Sequence, residues 1–214
     1  MPRIVVLDDL SAEGLSLLDS AGNIEYEVRT GLKGDALRQT LAQFDGAICR
    51  SGVKITREAL QGNRRLKAIA RAGVGTDNID TEAATRLGIV IMNTPSGNTL
   101  STAEHTMALM LGLARNLHPA CQSLIQGRWD RKQYTGTQLA GKTLGIIGLG
   151  RVGQAVAARA AAFQMRVLGY DPLLPSHRAK ELGVQTCASV RDMLPEVDFL
   201  TAHTPLTDET RGMI

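Results

Sequence analysis

Gly148-Leu149-Gly150-Arg151-Val152-Gly153 has the spacing of a turn that receives a pyrophosphate. Each glycine answers a separate need: the first permits a tight turn, the second lets backbone approach phosphate, and the third lets a helix pack closely on a strand. Alone the pattern is a weak signal, but its context is present on both sides. Thr143 to Ile147 is an apolar strand, and Val152, Val156, Ala160 and Phe163 then fall on one face at helical spacing. The helix would present free N–H groups and positive dipole charge to the phosphates. A second strand, Arg166 to Tyr170, ends at Asp171, about 20 residues beyond the turn as this chemistry requires. A carboxylate there accepts ribose hydroxyls and repels a 2′-phosphate, and Pro172-Leu173-Leu174 offers no cation to offset that repulsion. NAD is therefore expected over NADP. The alternatives are glycines that only make a tight turn and a solvated strand-end carboxylate.

A second chemistry is written nearer the start. Ala47-Ile48-Cys49 runs into Arg50-Ser51-Gly52, and Ala68-Ile69-Ala70 runs into Arg71-Ala72-Gly73-Val74-Gly75. Parallel sheets bind ligands beyond the carboxyl ends of their strands. Arginine grips a carboxylate or phosphate bidentately, and a Gly-rich turn offers backbone N–H groups to a carboxylate. A small substrate with two anionic groups would explain both turns, against the alternative of solvated arginines and purely geometric glycines. His203-Thr204-Pro205 follows a strand near the expected cofactor. Arg128-Trp129-Asp130-Arg131-Lys132 is, taken alone, a solvated helix end with a snorkelling Trp. The four histidines are scattered, and no metal site is expected.

Alternating elements must position these residues. Strands are expected at Ile4 to Leu7, Ile24 to Val28, Ala47 to Cys49, Leu66 to Ala70 and Ile89 to Met92. Helices are expected at Ala12 to Ser20, Asp35 to Gln43, Thr56 to Leu60 and Thr81 to Leu87. Asn93 to Gly97 is the clearest break. Ser101 and Glu104 have the capping-box form. The helix they would open is apolar nearly all round, which predicts burial on several sides, as a linker helix or a subunit interface. The fold class expected is α/β, with two doubly wound parallel-sheet domains. Residues 1–97 would form the substrate domain and residues 98–214 the nucleotide domain. The second is expected to be incomplete, since it stops just after a strand near Phe199 to Ala202.

Composition narrows the partners. The 214 residues are 43% hydrophobic and 21% charged, ordinary globular values that exclude a disordered or low-complexity chain. A net charge of +3 and 3% aromatic content argue against nucleic acid. The most apolar segment, Ala103 to Ala114, is interrupted by Glu104 and His105 and falls short of the roughly 20 residues of a membrane span. No leader pattern is visible, and three unpaired cysteines fit a reducing compartment, so a cytoplasmic location is expected.

The chain resembles the D-2-hydroxyacid dehydrogenases along its whole length. The resemblance is carried by Arg71 to Asp80, Met92 to Pro95, Gly97-Asn98, Gly127 to Lys132, Gly141 to Gly145 with the glycine fingerprint, Gly169 to Pro172, and His203 to Pro205. The Trp-centred stretch is most specific to the branch that oxidises a phosphorylated hydroxy acid. The resemblance implies a flavodoxin-like substrate domain followed by an NAD-binding Rossmann domain. It implies substrate contacts from Arg50, Ser51, Arg71, Val74, Gly75 and Asn98, with Arg131 lent by a neighbouring subunit. Val74, Gly148, Gly150, Arg151, Val152, Gly153, Asp171, His203, Thr204 and Pro205 would meet the cofactor. It also implies dimers or tetramers built on the nucleotide domain. The family's catalytic Arg, Glu and His sit in an Ala-Arg-Gly turn and a His-bearing strand end, neither of which occurs here, so they are expected beyond Ile214. A different substrate acid, or an NAD-sensing corepressor-like module, remains the alternative.

Overall fold

The computed structural model describes Met1–Ile214, the side chain of Ser176 excepted. It divides into two compact units, Met1–Asn98 and Thr99–Ile214.

The first unit alternates strand and helix: β1 (Arg3–Val6), α1 (Ala12–Ser20), β2 (Glu25–Val28), α2 (Gly34–Leu41), β3 (Gly46–Cys49), α3 (Arg57–Leu60), β4 (Ala68–Arg71), α4 (Thr81–Arg86) and β5 (Val90–Asn93). Local chemistry starts three of the helices. Ser11 Oγ accepts from the Gly14 N–H, Thr56 Oγ1 from Ala59 and Asp80 Oδ1 from Ala83, each satisfying a donor the helix itself leaves orphaned. The five strands are parallel in the order β2-β1-β3-β4-β5, the flavodoxin-like arrangement. Val5, Leu7, Leu37, Leu41, Phe44, Ile55, Leu60 and Ile69 fill its core. Register pairs Cys49 with Arg71. The chain therefore leaves β3 and β4 side by side, and the turns carrying Arg50 and Arg71 share one edge of the sheet.

The second unit opens with α5 (Thr99–Ala114) and α6 (Leu117–Ile125). It continues through β6 (Thr143–Ile147), α7 (Arg151–Ala162), β7 (Arg166–Tyr170), α8 (Ser176–Glu181), β8 (Gln185–Thr186), α9 (Val190–Met193), a short 3₁₀ turn (Leu194–Glu196) and β9 (Phe199–Ala202). The strands run parallel in the order β8-β7-β6-β9, which is 3-2-1-4 in the classic dinucleotide-binding numbering. Every residue of β6 is buried, as expected of a parallel strand covered on both faces. Val156, Ala157 and Ala160 of α7 pack in the same core as Ala103, Met107 and Met110 of α5.

Two expectations need correction here. The first concerns α5, which begins at Thr99, so Ser101 lies inside the first turn and is not its cap. Nor is that helix buried on several sides: Leu109 is 62% and Leu113 74% exposed. The second concerns the basic run. Helix α6 ends at Ile125, so Arg128–Lys132 lies in the following loop and not at a helix end, with Trp129 72% exposed. Ser123 Oγ and Arg128 Nε both donate to Asp130 Oδ2, which pins that loop back onto α6.

Candidate functional site

The glycine turn lies where β6 and β9 part, at the point of the sheet where strand order reverses. Gly148 has φ +87°, and a Cβ there would stand 2.8 Å from the His203 carbonyl oxygen and 2.9 Å from Thr204 Cγ2. Only glycine tolerates both the left-handed backbone and that approach. The strand-end backbone meets the turn because the His203 N–H donates to Ile147 O at 2.8 Å. A Cβ at Gly153 would collide with the Gly148 carbonyl oxygen and lie 3.4 Å from Ile146 Cγ2, so its absence lets α7 sit against the turn. Around Gly150, by contrast, a Cβ would meet nothing within 4 Å. That opening stands in front of α7, whose cap carries no side-chain acceptor and whose Arg151, Val152 and Gly153 N–H groups have no protein partner among the described residues. Space and unsatisfied donors together fit a pyrophosphate. Arg151 is exposed and Val152 half-buried beside it.

Asp171, one residue past β7, is held by two backbone donors. Its Oδ2 accepts from the Leu149 N–H at 2.7 Å and its Oδ1 from the Leu173 N–H at 2.8 Å. The carboxylate is thus fixed against the middle of the glycine turn, where ribose hydroxyls would meet it. His203 is half-buried, with Nε2 3.1 Å from Thr201 Oγ1, and burial pushes its pKa below the usual imidazole value, leaving the ring neutral at pH 7. Thr204 is half-buried and Pro205 exposed.

The first unit brings the two arginine turns together. The Arg50 N–H donates to Asp8 Oδ2 at 2.6 Å, and its Nη1 donates to the Asp9 carbonyl at 3.2 Å. Arg71 Nε donates to Asn78 Oδ1 at 3.2 Å. Among the described residues neither guanidinium pairs with a carboxylate. Both charges are available to an external anion. Asn93 Nδ2 donates to Val74 O at 2.6 Å and the Thr94 N–H to Gly73 O at 3.0 Å. These bonds hold the turn by its carbonyls, while the Val74 and Gly75 N–H groups have no protein acceptor among the described residues. Ser51 and Asn98 are exposed. Beneath this edge burial pushes the Cys49 thiol up to about 11, which makes it a packing residue and not a nucleophile. Arg131 is exposed on the loop after α6. Asp8, Asn78 and Asn93 were given no role from the sequence, although Asn78 and Asn93 lie in the segments Arg71 to Asp80 and Met92 to Pro95 that carry the resemblance.

Among the described residues no group of His, Cys, Asp or Glu could hold a metal ion, and no helix is long and apolar enough to cross a membrane.

A parallel sheet ordered 3-2-1-4, a Gly-rich turn at its switch point and a carboxylate ending the second strand define a dinucleotide-binding unit. The chain belongs to the D-isomer specific 2-hydroxyacid dehydrogenase family, whose NAD binding domain matches residues 107–214. A D-3-phosphoglycerate dehydrogenase of Methanocaldococcus jannaschii is 46% identical over 214 residues, which is 100% of this chain and 40% of that protein. The Bacillus subtilis protein of the same name is 42% identical, again over 100% of this chain and 40% of its own length. The chain thus spans about 40% of these curated relatives. Among solved structures, NAD+-bound 3-phosphoglycerate dehydrogenase of Entamoeba histolytica superposes with a TM-score of 0.80 at 28% identity, covering 99% of this chain and 65% of that one.

Proposed function

We propose that this chain serves the NAD-dependent oxidation of D-3-phosphoglycerate to 3-phosphohydroxypyruvate. The observation that carries the proposal is the edge of the first sheet: two arginines without carboxylate partners, beside two unsatisfied backbone N–H groups. That edge suits a small molecule bearing both a phosphate and a carboxylate. The whole-chain similarity to proteins named D-3-phosphoglycerate dehydrogenase supports it. NAD supplies the acceptor for the hydride that leaves the substrate carbon.

This chain's own residues do the binding. Gly148, Gly150 and Gly153 shape the pyrophosphate turn, Arg151 and Val152 open the helix behind it, and Asp171 takes the ribose. His203, Thr204 and Pro205 border the turn from β9. Arg50 and Arg71 hold the two anionic groups, with Ser51 and Asn98 alongside, and the Val74 and Gly75 N–H groups receive the carboxylate. Removal of the hydroxyl proton is assigned to none of His105, His118, His177 and His203.

Arg50→Ala and Arg71→Ala should each weaken 3-phosphoglycerate binding roughly tenfold to hundredfold, since a charge-assisted hydrogen bond is worth about 1.5–3 kcal/mol. NAD binding should hold. Calorimetry with both ligands tests this, and unchanged substrate affinity in both variants would return the arginines to solvated surface groups.

Self-association belongs to the same proposal. Leu109 and Leu113 of α5 and Leu117, Leu124 and Ile125 of α6 are exposed apolar side chains, of the kind that a subunit interface covers. In such an assembly Arg131 would be the residue lent to a neighbour's substrate. Sedimentation velocity should show a species of at least twice the chain mass that dissociates in Leu113→Glu; a monomer at all concentrations would remove Arg131 from the substrate contacts.

A further inference from the structure

Asn78 lies seven residues past Arg71 and is half-buried. Three hydrogen bonds converge on its amide. Oδ1 accepts from Arg71 Nε at 3.2 Å, and Nδ2 donates to the carbonyls of Arg50 and Val53, both at 2.8 Å. The orientation of the amide is fixed by this set, because the flipped form would set an N–H against the Nε–H and an oxygen against two carbonyls. The Asn78 backbone is pinned as well: its carbonyl accepts from the Ile55 N–H at 2.8 Å, and Ile79 bridges to Ile55.

The consequence for Arg71 is specific. Its guanidinium lies back over the Gly73 turn, so near that a Cβ on Gly73 would stand 2.9 Å from Arg71 Cζ. The inner nitrogen is tied to Asn78, while Nη1 and Nη2 donate to no acceptor among the described residues. A guanidinium held this way presents its two terminal nitrogens as a fork, the geometry that takes an oxyanion bidentately. Through Nδ2 the same amide fastens the turn that carries Arg50. One side chain therefore fixes both anion grips relative to each other.

We propose that Asn78 is a positioning residue for the substrate: it orients the Arg71 fork and sets its spacing from Arg50, matching a molecule with two anionic groups. This rests on the assignment of Arg50 and Arg71 to substrate. The physical basis is preorganisation. A long arginine side chain loses rotamer freedom when it closes on a ligand, and a tether that has already removed that freedom lowers the cost of binding.

A double-mutant cycle on the whole protein tests the proposal. 3-Phosphoglycerate affinity would be measured by calorimetry for the parent, Asn78→Ala, Arg71→Ala and the double variant, with circular dichroism and melting to verify the fold. Asn78→Ala is expected to weaken binding by about tenfold, the size of one lost orienting hydrogen bond. The double variant is expected to lose less than the two single losses multiplied together, because Asn78 acts largely through Arg71 and only in part through the Arg50 turn. A merely structural role would instead add its loss to that of Arg71→Ala, and that result overturns the proposal. So does undiminished affinity in Asn78→Ala while Arg71→Ala loses binding, an outcome that leaves the arginine assignment standing. If Arg71→Ala itself binds normally, the assignment and the proposal fall together. Should Asn78→Ala not fold, Asn78→Ser replaces it in the cycle under the same criteria, since its hydroxyl can still donate to one backbone carbonyl while its shorter side chain no longer holds Arg71 Nε.

Discussion

Gly153→Val is expected to abolish NAD binding and to destabilise the second unit. The added Cβ would be driven into the Gly148 carbonyl oxygen, with the Gly148 carbonyl carbon at 3.1 Å and Ile146 Cγ2 at 3.4 Å. Two of these neighbours are backbone of the turn itself, so no flexible side chain can yield. Overpacking of a well-filled site costs about 1–3 kcal/mol, and valine adds two methyl groups beyond the Cβ. Relief would come from moving the start of α7 away from the turn. That shift would also displace the unsatisfied N–H groups from the pyrophosphate position, so more than about a hundredfold of affinity should be lost, equivalent to roughly 3 kcal/mol. Calorimetric titration with NAD and a thermal melt would check both effects. A variant that melts and binds like the parent would mean that α7 does not rest on Gly148, contrary to the packing described.

Asp171→Ala should be nearly as damaging to the cofactor, for a different reason. The carboxylate that would receive the ribose also accepts from the Leu149 and Leu173 N–H groups. Its removal takes away a charged acceptor worth about 1.5–3 kcal/mol and leaves the part-buried Leu149 N–H unpaired at a further cost of about 1–3 kcal/mol. NAD affinity is expected to fall roughly tenfold to hundredfold. NADP should gain relative to NAD, since the charge that repels a 2′-phosphate is gone. Equal or tighter NAD binding by the variant would contradict the assignment of Asp171 to the ribose. The Asp171→Asn variant separates the two duties, because an amide oxygen can still accept one backbone N–H while the negative charge is lost.

Much of the nucleotide site was legible in the residues themselves. Strands β6, β7 and β9 run as their apolar stretches predict, and the three glycines fall between a buried strand and a helix with its apolar stripe inward. These signals are local: a glycine run, a period of 3.6 and a carboxylate at a set distance lie within one short stretch. The start of α5 was misplaced because two cap-forming segments are adjacent, and Asn98, itself a favoured capping type, precedes the helix that in fact begins at Thr99. The exposure of Leu109 and Leu113 was also missed. A helix apolar on all sides does not reveal which side its own unit covers.

The sequence by itself determined the fold class, the glycine turn between β6 and α7, the carboxylate that follows β7 and the two arginines at the ends of neighbouring strands. Each depends on residue type and on spacing along the chain. Tertiary structure alone decided how those arginines are held. The amide of Asn78 reaches Arg50 and Val53 across stretches of 28 and 25 residues, and Asp8 reaches the Arg50 N–H across 42. Such bonds exist only because parallel pairing brings the ends of β1, β3 and β4 to one edge. No periodicity encodes them, since hydrogen bonding between turns follows strand order in space and not order in the chain.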